Sequence, residues 1–192
     1  MNVAIILAAG ESRRMGRPKQ LLPFGDRTVL QCVMDAFKVP QVNETLVVLG
    51  YKAEKIADTL RDVTVVQNPR YARGMFSSVQ AGLRALPSNT KLVLLALGDQ
   101  PKLRRETVQA LIAEFERKGH KILVPSYNGR QGHPLLFSAH YVPAILAMDE
   151  SLTLKHFLAN RPDELARLVV NDAGVLVDID DRATYERESK TS

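Results

Sequence analysis

The sequence predicts an α/β protein, a three-layer α/β/α sandwich on a mostly parallel sheet. Short, nearly continuous apolar runs rich in β-branched residues recur along the chain, as strands buried on both faces read. Segments with helical spacing separate them, so strand and helix alternate four times, the pattern of right-handed βαβ crossovers. The length of 192 residues suits one domain with a substantial core, and a single domain over residues 1–192 is expected.

Strands are expected at Val3–Leu7, Thr45–Leu49, Val63–Val66, Leu92–Leu97 and Ile122–Val124. Helices are expected at Val29–Lys38, Ala53–Leu60, Val79–Leu86 and Thr107–Arg117, the last with Val108, Leu111, Ile112 and Phe115 on one stripe. The rhythm breaks at Pro125–Pro134, dense in turn formers, which predicts an inserted hairpin or substrate loop before the apolar Leu135–Phe137. Helical segments around Tyr141–Met148 and Leu152–Ala159 come next, then a strand at Leu165–Val170 and a turn at Asn171–Gly174. A short strand at Val175–Val177 and a helix from about Arg182 close the pattern.

Apolar residues make up 45% and charged residues 24%, which argues against disordered, collagen-like and membrane classes. The longest apolar stretches fall far short of the ~20 residues that span a bilayer. No basic leader precedes the first apolar run, so it does not read as an export signal. The single cysteine, Cys32, allows no internal disulfide and fits a reducing cytoplasm. The net charge of +5 points to an anionic partner. Aromatics are only 6% and none is interleaved with the Arg/Lys cluster, which favours a phosphate-bearing small molecule over nucleic acid.

In open parallel sheets, ligands bind beyond the carboxyl ends of the strands at a switch in strand order. After the first strand comes Ala8-Ala9-Gly10-Glu11-Ser12-Arg13-Arg14-Met15-Gly16-Arg17-Pro18-Lys19. Small residues admit an anion to the backbone N–H groups, and Arg and Lys neutralise phosphate; a solvated basic loop is the plainer reading. The segment is neither a Walker loop nor a G-x-G-x-x-G. After the fourth strand, Gly98-Asp99-Gln100-Pro101 places a carboxylate where it could hold Mg²⁺ or cap the next helix. In Val177-Asp178-Ile179-Asp180-Asp181, alternation puts Asp178 and Asp180 on one face, for a cation or as the acidic start of the last helix. Ser77 or Ser78 reads as a helix cap or a nucleobase contact. His133 reads as a proton shuttle or a surface residue. The other histidines, His120, His140 and His156, have no zinc-ligand spacing.

Together these pieces resemble a family. Leu7–Lys19 is similar to the signature L-A-A-G-x-S-x-R-M-G-x-x-K of the nucleotidyltransferases that include molybdenum cofactor cytidylyltransferase and guanylyltransferase. The likeness continues through Asn68-Pro69, Gly74-Met75, Ser78-Val79-x-x-Gly82-Leu83, Gly98-Asp99-Gln100-Pro101, Gly129–Pro134 and Asp178-Ile179-Asp180. The resemblance implies a Rossmann-like nucleotidyltransferase fold and a Mg²⁺-dependent attack of a phosphate monoester on the α-phosphorus of a nucleoside triphosphate, releasing pyrophosphate. It implies nucleotide binding by Leu7, Ala8, Ala9, Gly10, Arg14, Lys19, Ser78 and Gly82, with Arg14, Lys19 and Asp99 catalytic. It further implies Asp99 and Asp180 as metal ligands, and Gln100, Pro101 and His133 toward the acceptor. The double alanine favours CTP over GTP, and Gly132-His133-Pro134 favours a molybdopterin-type acceptor, with a molybdoenzyme as partner. A sugar- or polyol-phosphate transferase and a non-catalytic cofactor-binding partner are the rivals. One segment departs from the family pattern: Met148–Lys155 stands where many cytidylyltransferases carry Gly-Asp-x-Gly-Ala-Arg.

Overall fold

The computed structural model describes residues Met1–Lys190. In chain order its strands are β1 (Asn2–Leu7), β2 (Pro23–Phe24), β3 (Arg27–Thr28), β4 (Glu44–Leu49), β5 (Thr64–Gln67), β6 (Leu92–Leu97), β7 (Ile122–Tyr127), β8 (Arg130–Gln131), β9 (Leu135–Ser138) and β10 (Leu165–Val169). Its α-helices are α1 (Val29–Ala36), α2 (Ala53–Ala57), α3 (Met75–Arg84), α4 (Arg105–Lys118), α5 (Val142–Leu146), α6 (Leu154–Ala159) and α7 (Arg182–Ser189).

The main sheet runs β10-β7-β9-β6-β1-β4-β5, with β8 hairpinned onto β7. The pairs β6–β1, β1–β4, β4–β5 and β7–β10 are parallel, and β9 runs antiparallel between β6 and β7. From β1 the chain moves outward to β4 and β5, then returns to β6 on the other side of β1. The strand order therefore reverses beside the carboxyl ends of β1 and β6, which meet at Leu7 and Leu97.

Alternation along the strands explains the three layers. Ala4 and Ile6 of β1 join Val47, Leu94 and Leu123 against Leu30 and Val33 of α1 and Val108, Leu111 and Ile112 of α4. Val3 and Ile5 join Val48, Val93 and Phe137 against Phe76, Val79 and Leu83 of α3, with Ile145 and Phe157 beyond. Strands sandwiched in this way must be apolar on both faces, which is why they read as continuous runs. α1 starts on a capping box in which Thr28 and Gln31 satisfy one another's backbone N–H groups. The predicted hairpin is β7–β8, turning at Asn128 and Gly129, both at positive φ.

Several boundaries shift by a few residues from expectation, and one element differs. α3 begins at Met75, four residues before Val79, because Gly74 at φ 103° breaks the chain there. α2 ends at Ala57 rather than Leu60. The expected strand at Val175–Val177 is absent; Ala173–Leu176 is a 3₁₀ turn. The carbonyl of Val175 accepts from the His133 N–H at 3.1 Å and from Gln100 Nε2 at 3.2 Å. Its backbone bonds to loops, and Gly174 packs so closely on the Lys102 carbonyl that a Cβ would lie 2.1 Å from that oxygen. Among the described residues, no helix is long and apolar enough to cross a membrane.

Candidate active site

A cavity of about 290 Å³ opens at the switch in strand order, floored by Leu7–Gly10 and Leu97–Asp99, with Lys19, Gln20, Ser78 and Asp180 among its walls. The turn after β1 is knitted into its neighbours. The Ala8 N–H donates to the Val48 carbonyl at 2.9 Å, and the Gly98 N–H to the Leu7 carbonyl at 2.9 Å. Gly98 has to lack a side chain, since a Cβ there would sit 2.9 Å from both Ala8 Cβ and the Leu7 oxygen.

Gln20, which sequence reasoning missed, braces the turn. It is 2% exposed, and its Nε2 donates to the carbonyls of Ala8 at 2.8 Å and Gly10 at 3.2 Å. The Ala9 carbonyl accepts from the Tyr51 N–H at 3.2 Å. All three carbonyls are thus bonded within the protein, so the turn offers a ligand its N–H side, which suits an anion. The one signal in the sequence was a polar residue interrupting Lys19-Gln20-Leu21-Leu22.

In front of the turn, Lys19 pairs with both predicted metal carboxylates. Its Nζ contacts Asp99 Oδ2 closely and lies 2.9 Å from Asp180 Oδ1. The other Asp99 oxygen, Oδ1, is buried and has no hydrogen-bond partner among the described residues. Arg14 reaches Asp180 from the rim at 3.7 Å and does not line the cavity. Burial pushes the Asp99 carboxyl above the usual carboxylate range, with Asp178 and Asp180 adding to the rise and Lys19 opposing it. Burial alone would lower the Lys19 pKa, but Asp99 and Asp180 together hold it above its ordinary value.

The alternatives left open by the sequence separate here. α4 starts after Arg104 with no side-chain cap; at that end Asp172 accepts from the Arg104 N–H at 3.0 Å and the Thr107 hydroxyl at 2.6 Å, and Asp99 does not cap the helix. α7 is capped by Asp181, which accepts from the Thr184 N–H at 2.8 Å, leaving Asp180 to the cavity. Buried Ile179 fastens the acidic segment through its N–H to the Asp99 carbonyl at 2.8 Å. Asp178 accepts from Gln100 Nε2 at 2.6 Å and does not line the cavity; burial raises its pKa. Neither Ser77 nor Ser78 is the helix cap, which is Gly74. Ser77 Oγ donates to the carbonyls of Arg70 and Gly74, while Ser78 lines the cavity and accepts from Asn68 Nδ2 at 3.0 Å.

Besides Arg14, four predicted residues do not line the cavity. Gly82 faces the sheet, where a Cβ would lie 2.7 Å from Ile5 Cγ2, so its smallness serves helix packing. Gln100 orients Asp178, and Pro101 is buried in the turn. His133 is partly buried, and desolvation pulls its pKa down against the charge of Asp99.

A turn of small residues at the carboxyl ends of adjacent parallel strands, with a lysine and carboxylates gathered before it, is how α/β proteins that handle nucleotides are built. This chain is an enzyme of nucleotidyl transfer: it belongs to the MobA-like NTP transferase domain family, whose model matches residues 4–166. It is 30% identical over 187 residues to nicotine blue oxidoreductase of Paenarthrobacter nicotinovorans, covering 92% of this chain and 90% of that one. It is 31% identical over 138 residues to molybdenum cofactor cytidylyltransferase of Escherichia coli strain K12, covering 70% and 68%. Among solved structures, Rv0371c of Mycobacterium tuberculosis H37Rv superposes with a TM-score of 0.84 at 27% identity, covering 98% of this chain and 97% of that one. A structure of Rv0371c in complex with manganese gives 0.80 at 25%, covering 100% and 99%.

Proposed function

We infer that the chain works as a single nucleotidyltransferase domain, transferring CMP from CTP to a phosphate-bearing acceptor of the molybdopterin type and releasing pyrophosphate. The observation that carries this reading is the convergence of Lys19, Asp99 and Asp180 in front of the braced Ala8–Gly10 turn. CTP is favoured by the double alanine and by the similarity to the E. coli cytidylyltransferase. The similarity also supports the acceptor, a molybdoenzyme as eventual recipient and a cytoplasmic location.

The donor set fits Mg²⁺. Asp99 offers a buried oxygen without a partner and Asp180 a second carboxylate. A hard cation that keeps few protein ligands takes the rest of its oxygen shell from phosphates and water. Bound there, Mg²⁺ would supply charge neutralisation for the α-phosphate and the departing pyrophosphate. The chain's own groups do the rest. The N–H groups of Ala9 and Gly10 receive phosphate oxygens, and Lys19, shared between two carboxylates, swings its charge toward the same oxygens. Arg14 adds charge from the rim. Ser78, whose oxygen already accepts from Asn68, donates its hydroxyl proton to the base. An acceptor phosphate oxygen forms a bond to the α-phosphorus as the bond to the bridging oxygen breaks, and positioning and charge replace a protein nucleophile.

Pyrophosphate release tests this with molybdopterin and each nucleoside triphosphate, in Mg²⁺ or Mn²⁺. Release with CTP and molybdopterin is expected; release only with a sugar or polyol phosphate would move the acceptor, and none with any pairing overturns the reading. A second reading, redox chemistry in the same cavity, is favoured by the nearly full-length similarity to nicotine blue oxidoreductase. Oxidation of NADH or NADPH in parallel incubations separates the two. A non-catalytic cofactor-binding role would survive Asp99→Ala, which an enzyme would not.

A further inference from the structure

Beside the cavity, one carboxylate holds two arginines. Glu150 Oε1 lies 2.5 Å from Arg70 and Oε2 lies 2.9 Å from Arg73. Both arginines stand on the turn after β5, and Glu150 lies on the connection between α5 and α6, within the segment that departs from the family pattern. The turn is built from inside. Asn68 is 3% exposed; its Oδ1 accepts from the Arg70 N–H at 3.0 Å, and its Nδ2 donates to Ser77 and Ser78 at 2.9 and 3.0 Å. Between the arginines, Tyr71 forms part of the cavity wall, seated on Gly50, where a Cβ would lie 2.4 Å from the Tyr71 Cβ. Two guanidinium groups are thus presented by a preorganised turn at the edge of the cavity, and a single carboxylate leaves one positive charge uncompensated.

We propose that Arg70 and Arg73 form an anion subsite for a second charged group of the acceptor, remote from its reacting phosphate, with Glu150 as the internal ligand which that group displaces. The proposal rests on the transfer reading for the word acceptor, and on geometry alone for the anion site. The arginines are 43% and 65% exposed and Glu150 23%; an ion pair whose cations stand open to solvent gains little, whereas a phosphate can accept from both guanidinium groups at once through charge-assisted bonds. The preorganised turn means that little ordering is lost when the anion arrives. The ligand class is an acceptor bearing a phosphate or carboxylate at its distal end.

The test uses the full chain with Mg²⁺ and a non-hydrolysable CTP analogue filling the triphosphate site, and inorganic phosphate as probe by calorimetry. Glu150→Gln is expected to tighten phosphate binding about tenfold at a stoichiometry near one, and adding Arg73→Gln is expected to abolish the gain. Equal phosphate affinity in wild type and Glu150→Gln overturns the proposal. So does a Glu150→Gln variant that only melts lower, which marks the trio as a brace. If the analogue does not bind at all, the transfer reading fails by itself. The gain from Glu150→Gln and its loss with Arg73→Gln, measured on the free protein, still decide the anion site. Given an active acceptor, Glu150→Gln should lower its KM with kcat and the nucleotide KM unchanged; a changed nucleotide KM instead would assign the arginines to the nucleotide.

Discussion

Lys19 and Asp99 stand 80 positions apart in sequence and form a sheltered ion pair, their side chains 15% and 16% exposed. Asp180 shares the same ammonium at 2.9 Å. A cation held this way meets developing phosphate charge without first being ordered out of bulk water. Lys19→Ala is therefore expected to lower kcat about 10²–10³-fold, the usual loss for one preorganised donor, with the circular dichroism spectrum unchanged. Lys19→Arg should recover little, because a planar fork does not replace one compact ammonium between two carboxylates. Steady-state pyrophosphate release measures both.

Asp99 contributes to function at the expense of stability. Burial raises its folded pKa above the unfolded value, so the folded state binds that proton more tightly. The ionised carboxylate thus weighs against folding at neutral pH, and the burden lifts as pH falls through the raised pKa. Asp99→Asn should lose turnover, and it also takes a charge partner from Lys19. Its Tm minus that of wild type should fall on acidification. Melting curves from neutral pH down to the ordinary carboxylate range check this; a difference that rises toward acid contradicts it.

The sheet and its switch point were legible because strands buried on both faces leave unbroken apolar runs, whose order leaves few topologies. Asp99 was legible as a carboxylate at a strand end and Asp180 as one of an acidic run, and Asp181 could be told from Asp180 only once the cap of α7 was seen. The strand expected at Val175–Val177 failed because three apolar residues carry no period, and Gly174, pressed on the Lys102 backbone, decides the turn. Gln20 and the Glu150 trio were illegible because their partners are backbone carbonyls or residues some 80 positions away, which no local pattern records.

Gly82 separates a packing role from a binding one. It was expected among the nucleotide-binding residues, and it faces Ile5 and Val48 instead. Gly82→Ala would bring a methyl group to 2.7 Å from Ile5 Cγ2, overpacking that costs about 1–3 kcal/mol. In a chain of this size, Tm should fall by about 2–4 °C for each kcal/mol, with the KM for nucleotide unchanged. A raised KM at unchanged Tm would return Gly82 to the nucleotide.

Gln20 gives the sharpest test of how the turn after β1 works. Replacing it with Leu keeps the volume close and removes the donor that holds the Ala8 and Gly10 carbonyls. A buried carbonyl left unpaired costs about 1–3 kcal/mol, and the turn can escape that cost by rotating its carbonyls toward the cavity. Carbonyl oxygens there would face the triphosphate where N–H groups stood. Gln20→Leu should thus both melt lower and bind nucleotide at least about tenfold more weakly, since 1.4 kcal/mol is a factor of ten. Because the defect lies under the phosphates, the loss should be the same for CTP, GTP and ATP. Isothermal titration with non-hydrolysable analogues measures it, and a loss confined to one base would place Gln20 in base recognition instead.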